Sequence, residues 1–127
     1  MSTLARDVAT QLKHSGIKDL GIVEAYALPP AKTQDKLNAI LVTEVTTVPT
    51  TYGSNSFTEN TETIELNIYY GTSKTAPIDT FERSIVSFFM QRNWTLLPYG
   101  GHYHDPETQQ LCIDFQFRRR KAWNYKV

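Results

Sequence analysis

The stretch Thr63-Ile64-Glu65-Leu66-Asn67-Ile68-Tyr69-Tyr70-Gly71 is where the fold of this chain is most legible. Ile64, Leu66, Ile68 and Tyr70 fall on one side of an extended segment and Glu65, Asn67 and Tyr69 on the other, the period of a strand buried on one face. Gly71 closes it. Beyond Gly71 the period changes: Ile78, Phe81, Ile85, Phe88 and Phe89 recur at helical spacing, behind Pro77 in the first turn and Thr75 as a candidate cap. A one-sided strand followed by a one-sided helix predicts a helix laid on a sheet.

Towards the N-terminus, Ser2 or Thr3 can cap a helix in which Leu4, Val8 and Leu12 recur with Ala5 and Ala9 beside them, and Gly16 stops it. Ile22 to Leu28 reads as a strand ended by Pro29-Pro30. Leu37 to Val45 reads as a second strand, its apolar centre Ala39-Ile40-Leu41-Val42 predicting burial on both faces. Thr46 to Glu62 is mostly Thr, Ser, Asn and Glu with Pro49 and Gly53 as breakers, and is expected to be a long polar loop. Towards the C-terminus, Asn93 suits the end of the second helix. Segments 94–104, interrupted by Gly100-Gly101, and 110–119 predict a hairpin around a type I turn at Asp105-Pro106-Glu107-Thr108. The resulting order is α-β-β-β-α-β-β, an α+β fold with two helices packed on one face of a mostly antiparallel sheet.

At 127 residues and 40% hydrophobic content the chain is expected to be a single domain, residues 1–127. A chain of this size buries roughly two-thirds of its unfolded surface, enough for a core without disulfides or a structural metal. The lone Cys112 fits a reducing compartment. No basic-then-apolar leader opens the sequence, and no apolar run approaches the roughly 18 residues of a membrane span. The net charge of zero conceals a division. Residues 1–117 hold eight Lys/Arg against all thirteen Asp/Glu, or −5, while residues 118–127 hold five Lys/Arg and no acid, or +5. The sequence therefore reads as an acidic body with a basic C-terminal tail, residues 118–127.

Signals for catalysis are sparse. His102 and His104, two apart on a strand, could share a metal, but no further ligands stand at a characteristic spacing, so a solvated pair ahead of a turn is the better reading. Asp105 suits the first position of that turn. Glu65, Asp114 and Arg118 could be assembled into a metal-dependent nuclease only without its lysine, and both acids fall on the polar side of their strands. No phosphate-binding glycine loop or serine elbow occurs, and Cys112 sits in an apolar-flanked strand typical of an inert thiol. An enzyme is not expected, and no cofactor is called for. The tail Arg118, Arg119, Arg120, Lys121, Trp123 and Tyr125 mixes cations with aromatic rings, the residue types enriched at protein interfaces, so a subunit contact is expected of it. A solvated tail or a weak single-strand contact are the competing readings.

These pieces in their order resemble the small tail-terminator (tail-completion) proteins of long-tailed phages and prophages of Gram-positive bacteria. The likeness covers nearly the whole chain. It includes the amphipathic first helix, Ala27-Leu28-Pro29-Pro30, Ile40-Leu41-Val42-Thr43-Glu44-Val45, and Tyr52-Gly53-Ser54-Asn55-Ser56-Phe57. It continues through Glu65-Leu66-Asn67-Ile68-Tyr69-Tyr70-Gly71, Asn93-Trp94, and His104-Asp105-Pro106-Glu107-Thr108-Gln109-Gln110-Leu111 leading to Phe115-Gln116-Phe117. The resemblance implies a virion structural protein forming a homo-oligomeric ring, commonly a hexamer, on the head-proximal end of the tail tube. Such a ring stops tube polymerisation and receives the head–tail connector protein. Its partners would be its own copies, the major tail-tube protein and the connector, with no small-molecule substrate, no membrane, and nucleic acid only passing through the lumen. Its place would be the host cytoplasm during assembly and then the head–tail junction of the virion. On this reading the polar loop contacts the tube through Thr50, Tyr52, Asn55 and Phe57. Another neck or head-completion protein, or a small nucleic-acid-binding domain using the basic tail, are the rival expectations.

Overall fold

The computed structural model describes residues 3–28, 37–52, 57–71 and 77–122, with side chains for all of these except 46–52, 57–60, 121 and 122. Among the described residues two helices, α1 (Leu4–Lys13) and α2 (Ile78–Met90), accompany six strands: β1 (Ile22–Ala25), β2 (Ala39–Tyr52), β3 (Phe57–Tyr69), β4 (Thr95–Leu96), β5 (Tyr103–His104) and β6 (Leu111–Ala122). They form one sheet of order β1-β2-β3-β6-β4, with β5 also paired to β6. Among the described pairs only β1–β2 is parallel. The fold is α+β in the expected order.

Local chemistry starts each helix. Thr3 is extended at the N-cap of α1, and its Oγ1 accepts from the Arg6 N–H at 3.3 Å. A second acceptor comes from the sheet: a Glu44 carboxylate oxygen takes the Ala5 N–H at 3.0 Å and the Tyr26 hydroxyl at 2.8 Å. A carboxylate there meets the positive end of the helix, so α1 is tied to β2 by charge as well as packing. α2 opens on Pro77, whose missing N–H costs nothing in the first turn, and has no side-chain cap. It ends as the sequence predicts, with Asn93 left-handed at φ 69°.

Both helices lie on one face of the sheet. Ala5, Val8, Ala9 and Leu12 of α1 and Phe81, Ile85, Phe88 and Phe89 of α2 meet Val23, Ile40, Val42, Ile64, Leu66, Ile68, Ile113, Phe115 and Phe117 from the strands. Burying each such aliphatic or aromatic side chain stabilises the fold by about 1.5–3 kcal/mol, which is why the two periodicities dictate the layer arrangement. Phe89 is the junction: its ring stacks on Phe117 at 4.4 Å and meets Trp94 edge-on at 6.2 Å.

Four sequence expectations change. Residues 46–62 are not a long loop: β2 continues to Tyr52 and β3 begins at Phe57, leaving only 53–56 between them. Threonine-rich sequence favours extended backbone, and its polar character reflects position, since among the described side chains no core residue lies beyond Ile64 on β3 or Phe117 on β6. The basic stretch is likewise not all tail, because β6 runs through Ala122, paired with β3 as far as Glu59. β1 ends at Ala25 instead of Leu28, because Tyr26 turns the chain at φ 73°. β2 buries Ile40 and Val42 on the helical face while Leu41, on the other, is only half-buried. Segment 94–104 forms two short strands with the expected interruption around Gly100-Gly101 between them.

Candidate functional site

The β3–β6 register builds the most distinctive surface. It sets Arg118, Arg119 and Arg120 opposite Thr63, Glu62 and Thr61, while β4 brings Thr95 opposite Arg118. Alternation then splits the three arginines. Arg119 turns to the helical side, where an Nη donates to Glu62 at 3.1 Å and the guanidinium lies 4.1 Å over the Trp94 ring. Glu62 is 7% exposed, so this partly desolvated pair with its cation–π contact closes the core where the apolar residues end. Arg118 and Arg120 point to the face that neither helix covers, and both are exposed. Together with Asn93, Thr95 and Thr61 the three arginines line a cleft of about 620 Å³, with no carboxylate among the described residues of its wall.

Below the arginines, the same face is acidic. Asn67 donates to Glu65 at 2.9 Å and to Asp114 at 2.7 Å, Gln116 donates to Glu65 at 2.9 Å, and the Tyr103 hydroxyl donates to Asp114 at 2.9 Å. Neutral donors order the two carboxylates without cancelling their charge. The Tyr69 phenol, opposite Cys112 at one end of this network, is held above its ordinary range, first by burial and then by Cys112, Asp105, Asp114 and Glu65. Sequence alternation places these residues on the polar face; only pairing across the sheet reveals that they form one network.

The helical side carries a groove of about 680 Å³ beside α2, whose lining includes Val86, Met90, Leu96 and Tyr99, with Asp79 and Glu82 also on it. Met90 and Tyr99 are more than half exposed. At one end, Glu82 accepts from the buried Tyr70 hydroxyl and bonds His102 Nε2 at 2.7 Å. Burial, then Glu82, pushes the Tyr70 phenol far above its usual range. His102 is thereby a tether between α2 and the 97–102 segment, and among the described residues no three His, Cys, Asp or Glu side chains converge on a metal position. Asp105 takes its expected place in the turn, accepting from the Thr108 N–H and hydroxyl, both at 2.9 Å. Those bonds lower its carboxyl.

Cys112 is buried, and burial chiefly pushes its thiol up to about 11. At pH 8 an ordinary thiol is then about 100-fold more ionised. Native protein is expected to react with iodoacetamide at least about 100-fold more slowly than the denatured chain; equal rates in native buffer would show the side chain is open.

Of the sequence-nominated residues, Arg118, Arg119 and Arg120 stand on β6 as described, and Lys121 pairs with Asn60 in the backbone register. Trp123 and Tyr125 lie outside the described residues, as does Asn55. Thr50 falls at an irregularity of β2 between Pro49 and Thr51, and Tyr52 and Phe57 are register partners at the end of the hairpin. The Glu62–Arg119–Trp94 cluster is absent from the sequence reading; an acid and a base 57 positions apart carry no local signal of their pairing.

No helix among the described residues is long and apolar enough to cross a membrane. No curated protein matches the sequence. Residues 7–121, a span from within α1 almost to the end of β6, match the family described as "Protein of unknown function (DUF806)", and the chain belongs to that family.

Proposed function

We propose that this protein is a tail-terminator subunit, a virion structural protein that forms a ring, commonly a hexamer, on the head-proximal end of a phage tail tube and offers a docking surface to the head–tail connector. The observation that carries the reading is the presentation of Arg118 and Arg120 on one face of a strand paired through Ala122, so these two basic residues stand on a fixed backbone. A cyclic ring needs two different surfaces on each subunit. The second is the α2 groove on the helical layer, where Met90 and Tyr99 offer apolar contact and Asp79 and Glu82 supply acid beside Arg83. The occupant of that groove is the β6 extension of a neighbouring copy, cationic and followed in sequence by Trp123 and Tyr125. The hairpin end around Tyr52 and Phe57 is the part that meets the tube. The working residues lie in interfaces, and the protein is not an enzyme.

The test is mass in solution with tail-tube protein present. Rings of uniform subunit number on tube ends, lost on deletion of 118–127 with the core still folded, are expected. A chain that neither assembles nor stops tube growth at any concentration would sink the reading, and DNA binding that survives physiological salt would favour the nucleic-acid alternative, since a contact of five charges weakens steeply as salt rises.

A further inference from the structure

On the face of the sheet that neither helix covers, four described charged side chains of β3 and β6 take part in none of the described ion pairs, which are Arg83–Asp79, His102–Glu82 and Arg119–Glu62. The four are Glu65, Asp114, Arg118 and Arg120. Arg118 stands diagonal to Glu65 across the β3–β6 ladder, within reach of a long side chain. Glu65 is nevertheless taken up by the amides of Asn67 and Gln116. Among the described side chains the face is thus acidic at one end and basic at the other, the acids held by neutral amides and neither sign neutralised by an ion pair.

The spacing of the two zones decides what can cover them. Asp114 and Arg118 are about 13 Å apart at the rise of a strand. A stable protein contact covers about 800 Å² on each partner, a disc about 30 Å across. Both zones therefore fall inside any one footprint, and a single partner must answer both. A neighbour offering only acid to the arginines would leave Glu65 and Asp114 desolvated without a counter-charge, which is costly. A second copy answers both when it is turned about a two-fold axis lying in the interface and running across the strands. That rotation reverses strand direction and keeps β6 over β6. The arginine zone of each copy then lies over the acidic zone of the other, across the roughly 10 Å that separates stacked sheets.

We infer that this face docks on the same face of a second copy of the chain, Arg118 and Arg120 of each seated on Asp114 and Glu65 of the other. The contact is isologous, whereas a ring contact is head-to-tail, so it is an additional contact of the free chain. It rests on the reading that the protein works by self-association. Half-buried Leu41 and Tyr69 and the exposed Tyr103 ring supply apolar area around the charges, and the bipolar pattern rejects a copy stacked in parallel, where like charges would meet.

The experiment is light scattering on a sizing column with the isolated chain, over a concentration series at low and physiological salt. A dimer that dissociates more readily as salt rises is expected. R118E/R120E makes the face wholly acidic and should weaken the dimer at least about tenfold, with the circular dichroism spectrum unchanged because both side chains are exposed. R118K/R120K should keep it. E65K/D114K should be monomeric alone and form dimers when mixed with R118E/R120E; if E65K/D114K loses its folded spectrum, E65Q/D114N should show the weakening instead. A wild-type chain that is monomeric throughout, or a dimer whose dissociation constant R118E/R120E leaves unchanged, overturns the proposal. Rings on tube ends from a chain that is monomeric when free would overturn this contact and leave the ring reading standing; a dimer with no action on tubes would do the reverse.

Discussion

Replacing Phe117 with alanine is expected to destabilise the protein by about 3–5 kcal/mol, the range for truncating a buried aromatic side chain. Phe117 is fully buried and stacks on Phe89 of α2 at 4.4 Å, while its backbone partners are Ile64 on β3 and Leu96 on β4. One ring thus joins the second helix, the central strand and the short β4. Collapse into the space is hindered because the neighbours on its own face are other large rings, Phe115 at 6.3 Å and Phe89. Trp94, held against Phe89, would lose support, and the Arg119 guanidinium above it with it. In a chain of this size the change corresponds to a fall in Tm of about 10–20 °C. Met90→Ala on the same helix is the control: its side chain is 59% exposed, so the midpoint should move by no more than about 0.5 kcal/mol. Urea denaturation of both variants checks the pair, and equal midpoints would mean that the ring does not bridge the layers.

Gly21→Ala is the second large effect, about 2–4 kcal/mol, and its cause is backbone geometry. Gly21 has φ 71°, and a Cβ built there meets the Asn38 carbonyl oxygen at 2.0 Å and its carbon at 2.9 Å. That carbonyl cannot yield cheaply, because it accepts the Ile22 N–H at 2.9 Å where the parallel β1–β2 ladder begins. The Asn38 side chain donates to the Asp19 carbonyl and accepts from the Gly71 N–H, each at 2.9 Å, so the same residue ties the approach to β1 and the end of β3. Gly16 provides the comparison. Its φ is 79° but a Cβ there meets nothing within 4 Å, so Gly16→Ala should cost only about 1–2 kcal/mol for the left-handed conformation. Hydrogen exchange distinguishes the two: G21A should lose protection at the Ile22 and Tyr26 amides, which bond to β2, and G16A should not. Equal protection in the two variants would count against the clash.

Much of this architecture was legible in sequence because local period and burial are linked. The alternation from Ile64 to Tyr70 and the helical spacing from Ile78 to Phe89 each name a buried face, and those faces are the core observed. The turn at Asp105 and the left-handed Asn93 were legible for the same reason, since the side chain acts on its own backbone. The Thr46–Glu62 segment misled because polarity stood in for irregularity. Those residues are polar where the sheet continues past its core, and β-branched threonine still favours the extended state.

What the sequence determined alone is therefore the order of elements, the period of each, and which residues share a face. Only the tertiary structure decided who stands beside whom. The register of β3 against β6 divides Arg118, Arg119 and Arg120 between two faces, joins Arg119 to Glu62 over Trp94, and sets Glu65 and Asp114 on one face with Arg118 and Arg120. The physical reason is separation along the chain. A side chain's face follows from its own backbone, but its neighbour across a sheet is chosen by hydrogen bonds between segments some fifty residues apart, which no local pattern records.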